Sequence, residues 1–234
     1  SIPVGTFILG TWQVQRRKWK LNLIKTLNER ISSQPIELPA DLEQLESMEY
    51  CPITVKGTFL YDKEFSIGPR SLILNGDSNT SGSVMGNQSS QRGYYLITPF
   101  KLSDRDLTIL VNRGWIPNSL KNPTTRKNSQ VKDEVEITGI LRLNEPRPQF
   151  VPKHNPNNDV WYYRDLNAMA ERADAAPVYI EMTRNKNFPT YPVGGQTRVN
   201  LRNEHLSYII TWYSLSAFTA YMWFKVVIRK LPLS

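Results

Sequence analysis

Cysteine and histidine are almost absent from this chain: one cysteine and two histidines in 234 residues. With Cys51 alone, no disulfide can close within the chain and no Cys-rich metal site can be built. The paired cysteines at short spacing expected of a copper carrier or a thiol oxidoreductase are missing too. His154 and His205 are too few for a protein-only multi-histidine centre. No phosphate-binding glycine loop occurs, no Ser-His-Asp arrangement can be assigned, and no motif pairs the carboxylates, so the sequence points away from an enzyme.

Aspartate, glutamate, lysine and arginine are also absent between His205 and Lys225. The run HLSYIITWYSLSAFTAYMWF, rich in Trp and Tyr and closed by Lys225, Arg229 and Lys230, matches a transmembrane helix in length and flanks. At the other end, Ile2 to Trp12 is apolar and runs into Arg16, Arg17, Lys18 and Lys20. That stretch is too short to span a bilayer, and it is expected to be the surviving end of a longer helix whose start, with any targeting presequence, is missing. A buried helix of a surface domain is the alternative.

Between these ends lies enough chain for one globular domain with its own core. A mean hydropathy of −0.43 belongs to a soluble domain with membrane character only at its termini, which argues against a polytopic transporter. The formal charge is +8 and the isoelectric point about 9.5. The densest positives abut the apolar ends, so membrane lipid headgroups explain them better than nucleic acid does.

After the first basic stretch, Leu21, Ile24, Leu27 and Ile31 share one helical face, so the anchor extends as an amphipathic helix that Pro35 closes. From Tyr50 the pattern changes to alternating and β-branched runs: Ile53 to Phe59, Glu64 to Ile67, Tyr94 to Phe100, Leu107 to Trp115, Val135 to Leu143, Tyr162 to Arg164, and Val178 to Met182. Asn75 to Gly93 reads as a mobile polar loop with two glycosylation-type triplets, at Asn79 and Asn87, while Pro117 to Asp133 is a basic connection. One helix is expected from Asp165. Several antiparallel strands with one helix predict a small barrel or curled sheet, in which closure protects the strand edges.

Gly57, Gly114 and Gly139 fall inside or at the ends of strands, where bulges or tight bends are expected. Gly194 and Gly195 form a turn. On the last helix, Tyr208, Trp212, Ser216, Thr219 and Trp223 align beneath His205, since residues three and four apart share a face. Two readings stay open there. The stripe is a bed for a flat apolar macrocycle with the imidazole as axial iron ligand, or else His205 merely anchors the helix end among interfacial aromatics. In the second case Ser207, Thr211 and Ser214 on the opposite side supply small contacts for the N-terminal helix. His154 reads as an exposed loop residue.

The chain closely resembles the surfeit-locus-one family, called Shy in yeast, of cytochrome c oxidase assembly factors, in its mitochondrial branch. The resemblance is carried by LGTWQVQRRKWKL (Leu9 to Leu21), ILVNRGW (Ile109 to Trp115), Phe150-Val-Pro, WYYRDL (Trp161 to Leu166), and the long GGQTRVNLRNEHLxYIxTWY stretch (Gly194 to Tyr213). It implies a membrane protein of α+β content, with two terminal transmembrane helices flanking a mainly antiparallel β domain in the intermembrane space. Residues 1–35 would hold the end of the first helix and its amphipathic extension, 36–203 the β-rich domain, 204–228 the second helix, and 229–234 a matrix tail. Lys225, Arg229 and Lys230 would then follow the positive-inside trend and Arg16 to Lys20 would oppose it.

The implied role is non-enzymatic: assembly of the oxidase in the mitochondrial inner membrane, assisting haem a insertion into its largest catalytic subunit or stabilising that subunit. Partners would be the oxidase core subunits and other assembly factors. Bacterial members are implicated in binding haem a, and the matching histidine is His205, which makes His205, Tyr208, Trp212 and Trp223 the haem-contact candidates and haem a, held transiently, the implied cofactor. The alternative is a purely structural scaffold or accessory oxidase subunit without haem contact.

Overall fold

The computed structural model describes residues 2–73, 92–152, 160–184, 189–197 and 204–229. Both glycosylation-type triplets, His154 and nearly all of the Asn75 to Gly93 loop lie outside them. The chain divides into two compact units, Ser1–Glu29 with Val199–Ser234, and Arg30–Arg198.

The larger unit is a closed barrel. Its strands are β1 (Ile36–Glu37), β2 (Pro52–Phe59), β3 (Phe65–Ser71), β4 (Arg92–Leu102), β5 (Thr108–Pro117), β6 (Val135–Arg142), β7 (Val160–Trp161) and β8 (Tyr179–Met182). They follow the order β1-β2-β6-β8-β5-β4-β3-β7, and a further pairing of β2 with β4 closes five of them, β2, β6, β8, β5 and β4, into a ring. Most pairs are antiparallel, as the sequence predicts, but β1–β2, β3–β7 and β5–β8 are parallel. Closure runs through Gly57, which is matched to both Leu102 and Val135. A Cβ there would stand 2.0 Å from the Lys101 carbonyl oxygen, so only glycine lets the two backbones approach.

Alternation along the strands builds two cores, because successive side chains point to opposite faces. Ile53, Val55, Phe100, Ile109, Val111 and Ile180 fill one, the barrel interior. Phe65, Ile67, Ile97, Leu110 and Tyr179 face the other way, under Trp161 and the apolar side of helix α2 (Leu166–Ala173). This two-sided burial is why β5 is buried without interruption from Ile109 to Ile116, Asn112 and Arg113 included. Helix α2 starts where Asp165 accepts from the Ala168 amide at 3.3 Å, an N-cap of the kind the acidic start predicts.

One local expectation is corrected. Tyr162 to Arg164 is not a strand: the extended pairing is confined to Val160–Trp161, after which the Arg164 amide donates to Glu145 and its Nε donates to the Leu143 carbonyl, turning the chain inward to begin α2. The 117–133 connection contains 3-10 turns at Asn118–Leu120 and Pro123–Ser129, and a further one at Leu42–Met48 buries Leu45 in the barrel core.

The smaller unit is built on helix α1 (Ile2–Ile31) and helix α3 (His205–Trp223), the latter continued by a π-helical turn, Phe224–Ile228. Helix α1 runs unbroken through the basic stretch to Ile31, the extent that the periodicity predicts. Among the described residues no helix is long and apolar enough to cross a membrane. In α3 the cause is composition: Ser, Thr, Tyr and Trp make up much of the sequence between the aliphatic residues.

Candidate functional site

Helices α1 and α3 pack antiparallel along one seam. Toward one end His205 meets Gln13. In the middle the Tyr213 ring lies on Gly10, where a Cβ would be 2.9 Å from it, its hydroxyl is 3.2 Å from the Thr11 hydroxyl, and its centroid is 5.5 Å from that of Phe7. At the other end the Ser216 hydroxyl donates to the Pro3 carbonyl at 2.8 Å. Small residues and interhelical hydroxyl bonds are the usual means of holding two helices in close contact where apolar surroundings give no hydrophobic drive.

The seam differs from the one expected. Ser207, Thr211 and Ser214 are exposed, with the Ser207 hydroxyl donating to the carbonyl of Glu204, the residue that caps α3, and the Thr211 hydroxyl to that of Ser207. The side of α3 that meets α1 is instead the one carrying His205, Tyr213 and Ser216. The exposed hydroxyls can satisfy themselves within their own helix, whereas Tyr213 and Ser216 need the close approach that Gly10 and the Pro3 carbonyl permit.

His205 is the first residue of α3 and is half-buried, with Nδ1 2.6 Å from the Gln13 Oε1. With the amide oxygen as acceptor Nδ1 is the donor, and in the tautomer that this pairing selects the lone pair lies at Nε2. Fixing one ring nitrogen by a hydrogen bond is how proteins orient a histidine for ligation through the other. Gln13 lies within a motif quoted above, but its pairing with a residue 192 positions away has no signature in periodicity or spacing.

Of the other stripe residues, Trp212 and Thr219 are half-buried, Ser216 is buried against α1, and Tyr208 and Trp223 are 52% and 51% exposed. The structure thus brings His205 and Ser216 to the helix seam, half-buries Trp212, and leaves Tyr208 and Trp223 open to the surroundings. A histidine ring held through Nδ1 is of the kind that can serve as an axial haem ligand. Among the described residues, no group of three or more His, Cys, Asp and Glu could hold a metal ion by itself.

The glycines singled out by sequence lie in the barrel unit. Gly114 sits at φ +128°, beside a register shift in the β4–β5 pairing that leaves Arg113 as the extra, bulged residue. Gly194 and Gly195, expected to form a turn, are irregular backbone following the Trp115–Val193 bridge, with the Gly195 amide donating to the Met182 carbonyl at 2.9 Å. The same stretch carries Gln196 to a cavity on the outer side of the barrel.

The cavity, of about 240 Å³, was not anticipated from the sequence. Arg70, Arg142 and Arg164 line it together with Glu145, Glu181 and Gln196. Glu181 bridges two of the guanidiniums, 3.4 Å from Arg142 and 3.3 Å from Arg164, and Glu145 holds Arg70 at 3.0 Å. Burial pulls the Arg142 guanidinium down, but Glu181, the Tyr50 hydroxyl and Glu49 outweigh it and leave the group above its ordinary value. The available signal was a glutamate inside the apolar strand YIEM and an arginine beside the α2 cap.

Comparison with known proteins places these features in a family setting. The model of the SURF1 family matches residues 1–217. Surfeit locus protein 1 of Rattus norvegicus is 50% identical over 232 residues, covering 99% of this chain and 75% of that protein. The Homo sapiens protein of the same name is 48% identical, with 99% and 77% covered. The SURF1-like protein of Drosophila melanogaster is 46% identical, again over 99% of this chain and 77% of its own length.

Proposed function

This chain belongs to the SURF1 family, and from that premise we propose that it is a mitochondrial assembly factor for cytochrome c oxidase, acting on haem a insertion into, or stabilisation of, the largest catalytic subunit. The role is one of holding and handing on, without turnover. The observation that carries the haem reading is the hydrogen bond from His205 Nδ1 to Gln13, which leaves Nε2 free to ligate iron. Haem a, when bound, would supply the iron and the apolar macrocycle destined for the oxidase. On the protein side His205 offers the axial ligand, Gln13 fixes the plane of its ring, and Trp212, Tyr208 and Trp223 offer aromatic surface.

The reading includes an inner-membrane position for the α1–α3 pair, with the β domain in the intermembrane space. Supporting it, Ile2, Val4, Phe7, Ile8, Ile210 and Phe218 are all largely exposed on the pair. The hydroxyls of Thr6, Thr11, Thr211 and Thr219 donate to carbonyls of their own helices, so these polar groups need no water. Neither helix need be strongly apolar if the two enter as a pair with their polar groups satisfied.

A scaffold role without haem contact is favoured by one observation: Ser216, in the middle of the aromatic stripe, is already covered by α1. The absorption spectrum of the protein purified from cells that make haem a separates the two readings. A haem band in the parent that the His205→Ala variant loses supports ligation. A colourless parent, or an unchanged spectrum in the variant, overturns the ligand assignment and leaves the scaffold reading.

A further inference from the structure

We propose that the 240 Å³ cavity on the outer side of the barrel is an oxyanion-binding site, in which Arg70, Arg142 and Arg164 hold an anion of phosphate size. The three guanidiniums come from separate segments: Arg70 from β3, Arg142 from the end of β6, and Arg164 from the turn before α2. Convergence of three such groups on one space costs mutual repulsion and is sustained only by counter-charge.

The carboxylates present do not saturate these donors. A guanidinium has five N–H groups in a planar fork suited to bidentate contacts. Glu181 instead touches Arg142 and Arg164 by single contacts of 3.4 and 3.3 Å, the long end of the hydrogen-bond range. Arg142 Nε reaches Glu49 at 3.5 Å, and its Nη2 donates to the Tyr50 hydroxyl at 3.2 Å. Arg70 donates through one Nη to Glu145 and the Tyr162 carbonyl, while its Nε is buried without a hydrogen-bond partner. Among the lining residues three positive charges face two negative ones, and Glu49 stands behind Arg142.

Glu181 is therefore the internal competitor of the anion. This separates a binding site from a merely structural ion-pair network, because the two predict opposite effects of neutralising it. Calorimetric titration of the full chain with inorganic phosphate, at constant ionic strength with chloride as the balancing anion, provides the test. Saturable binding is expected. Arg70→Gln should weaken it about tenfold, the equivalent of one charge-assisted hydrogen bond, and Glu181→Gln should tighten it by freeing two guanidiniums. Near-ultraviolet circular dichroism checks that each variant is folded. Titration with dihexanoyl phosphatidic acid distinguishes the source: Arg70-dependent binding stronger than that of phosphate assigns the oxyanion to a lipid headgroup, and equal or weaker binding assigns it to a free ion. Absence of saturable binding of both probes to the parent and to Glu181→Gln, or binding that Arg70→Gln leaves unchanged, overturns the proposal.

Discussion

Arg113 and Glu64 form an ion pair in which both side chains are withdrawn from solvent, 2% and 4% exposed, with Nη1 and Oε2 3.5 Å apart. The β4–β5 bulge places Arg113 there, over the rings of Phe59 and Tyr61. The same carboxylate receives the Thr98 hydroxyl at 2.8 Å and a guanidinium nitrogen of Arg126, which arrives from the 3-10 turn Pro123–Ser129. One carboxylate thus ties β4, β5 and the 118–133 connection to one point. Burial pulls the Arg113 guanidinium below its ordinary value despite the neighbouring Tyr61 and Glu64.

Glu64→Gln leaves two buried guanidiniums without their counter-charge. Breaking a buried pair in this way costs about 3–5 kcal/mol, far more than the intact pair contributes. Urea denaturation followed by tryptophan fluorescence should show a midpoint lowered accordingly, while Glu37→Gln, at an exposed strand residue, should leave the midpoint nearly unchanged. A Glu64→Gln midpoint equal to the parent's would mean that water or another group compensates the arginines.

Gly114→Ala should be destabilising for two separable reasons. At φ +128° an L-residue is strained by about 1–3 kcal/mol. In addition the new Cβ would meet the Val193 carbonyl oxygen at 2.2 Å, pushing apart the Trp115–Val193 bridge. Hydrogen exchange should therefore rise first at the Trp115 and Val193 amides, which donate to each other's carbonyls. Faster exchange spread evenly over the barrel would refute this local account.

How far the sequence carries can be seen in β5 and α2. The run from Leu107 to Trp115 and the Asp165 cap depend on neighbours in the chain, and both were legible. The β5–β8 pairing depends on residues some seventy positions apart being parallel, for which alternation carries no sign. Likewise His205 could be singled out because ionisable groups are rare at the edge of an apolar run, yet its partner Gln13 is an ordinary polar residue. The Arg70, Arg142 and Arg164 cavity was hidden for the same reason: the arginines are far apart in the chain, and only the folded sheet with the segment before α2 brings them to one place.

Alkaline pH should expose the buried tyrosines. Burial, reinforced by Glu181, pushes the Tyr179 phenol far above its ordinary value, and burial also raises Tyr61. In the unfolded chain both ionise near their ordinary value of about 10. Only the unfolded state then releases these protons, so their contribution is intact below that pH and is lost progressively as pH rises beyond it. Denaturation midpoints should hold steady to about pH 9 and then fall, with Tyr179 contributing about 1.4 kcal/mol per pH unit and the half-buried Tyr61 less. The decline should be shallower in Tyr179→Phe. Parallel curves for parent and variant would show that Tyr179 ionises in the folded protein as readily as in the unfolded one.

The Gln13–His205 bond yields the sharpest test of the haem reading. Gln13→Ala removes the acceptor for Nδ1 while leaving the imidazole in place, so the ring can rotate or adopt the other tautomer, in which Nε2 carries the proton and cannot ligate. Loss of an orienting partner of this kind typically lowers metal affinity about 10–100-fold. Haem occupancy in the Gln13→Ala variant should fall by that order and recover in Gln13→Glu, whose carboxylate also accepts from Nδ1. A structural role for the pair predicts something different: helix-pair stability, read by thermal denaturation, would drop in Gln13→Ala with haem content per folded molecule unchanged. Measuring both quantities on the same samples therefore separates a histidine held for ligation from a histidine that only joins two helices.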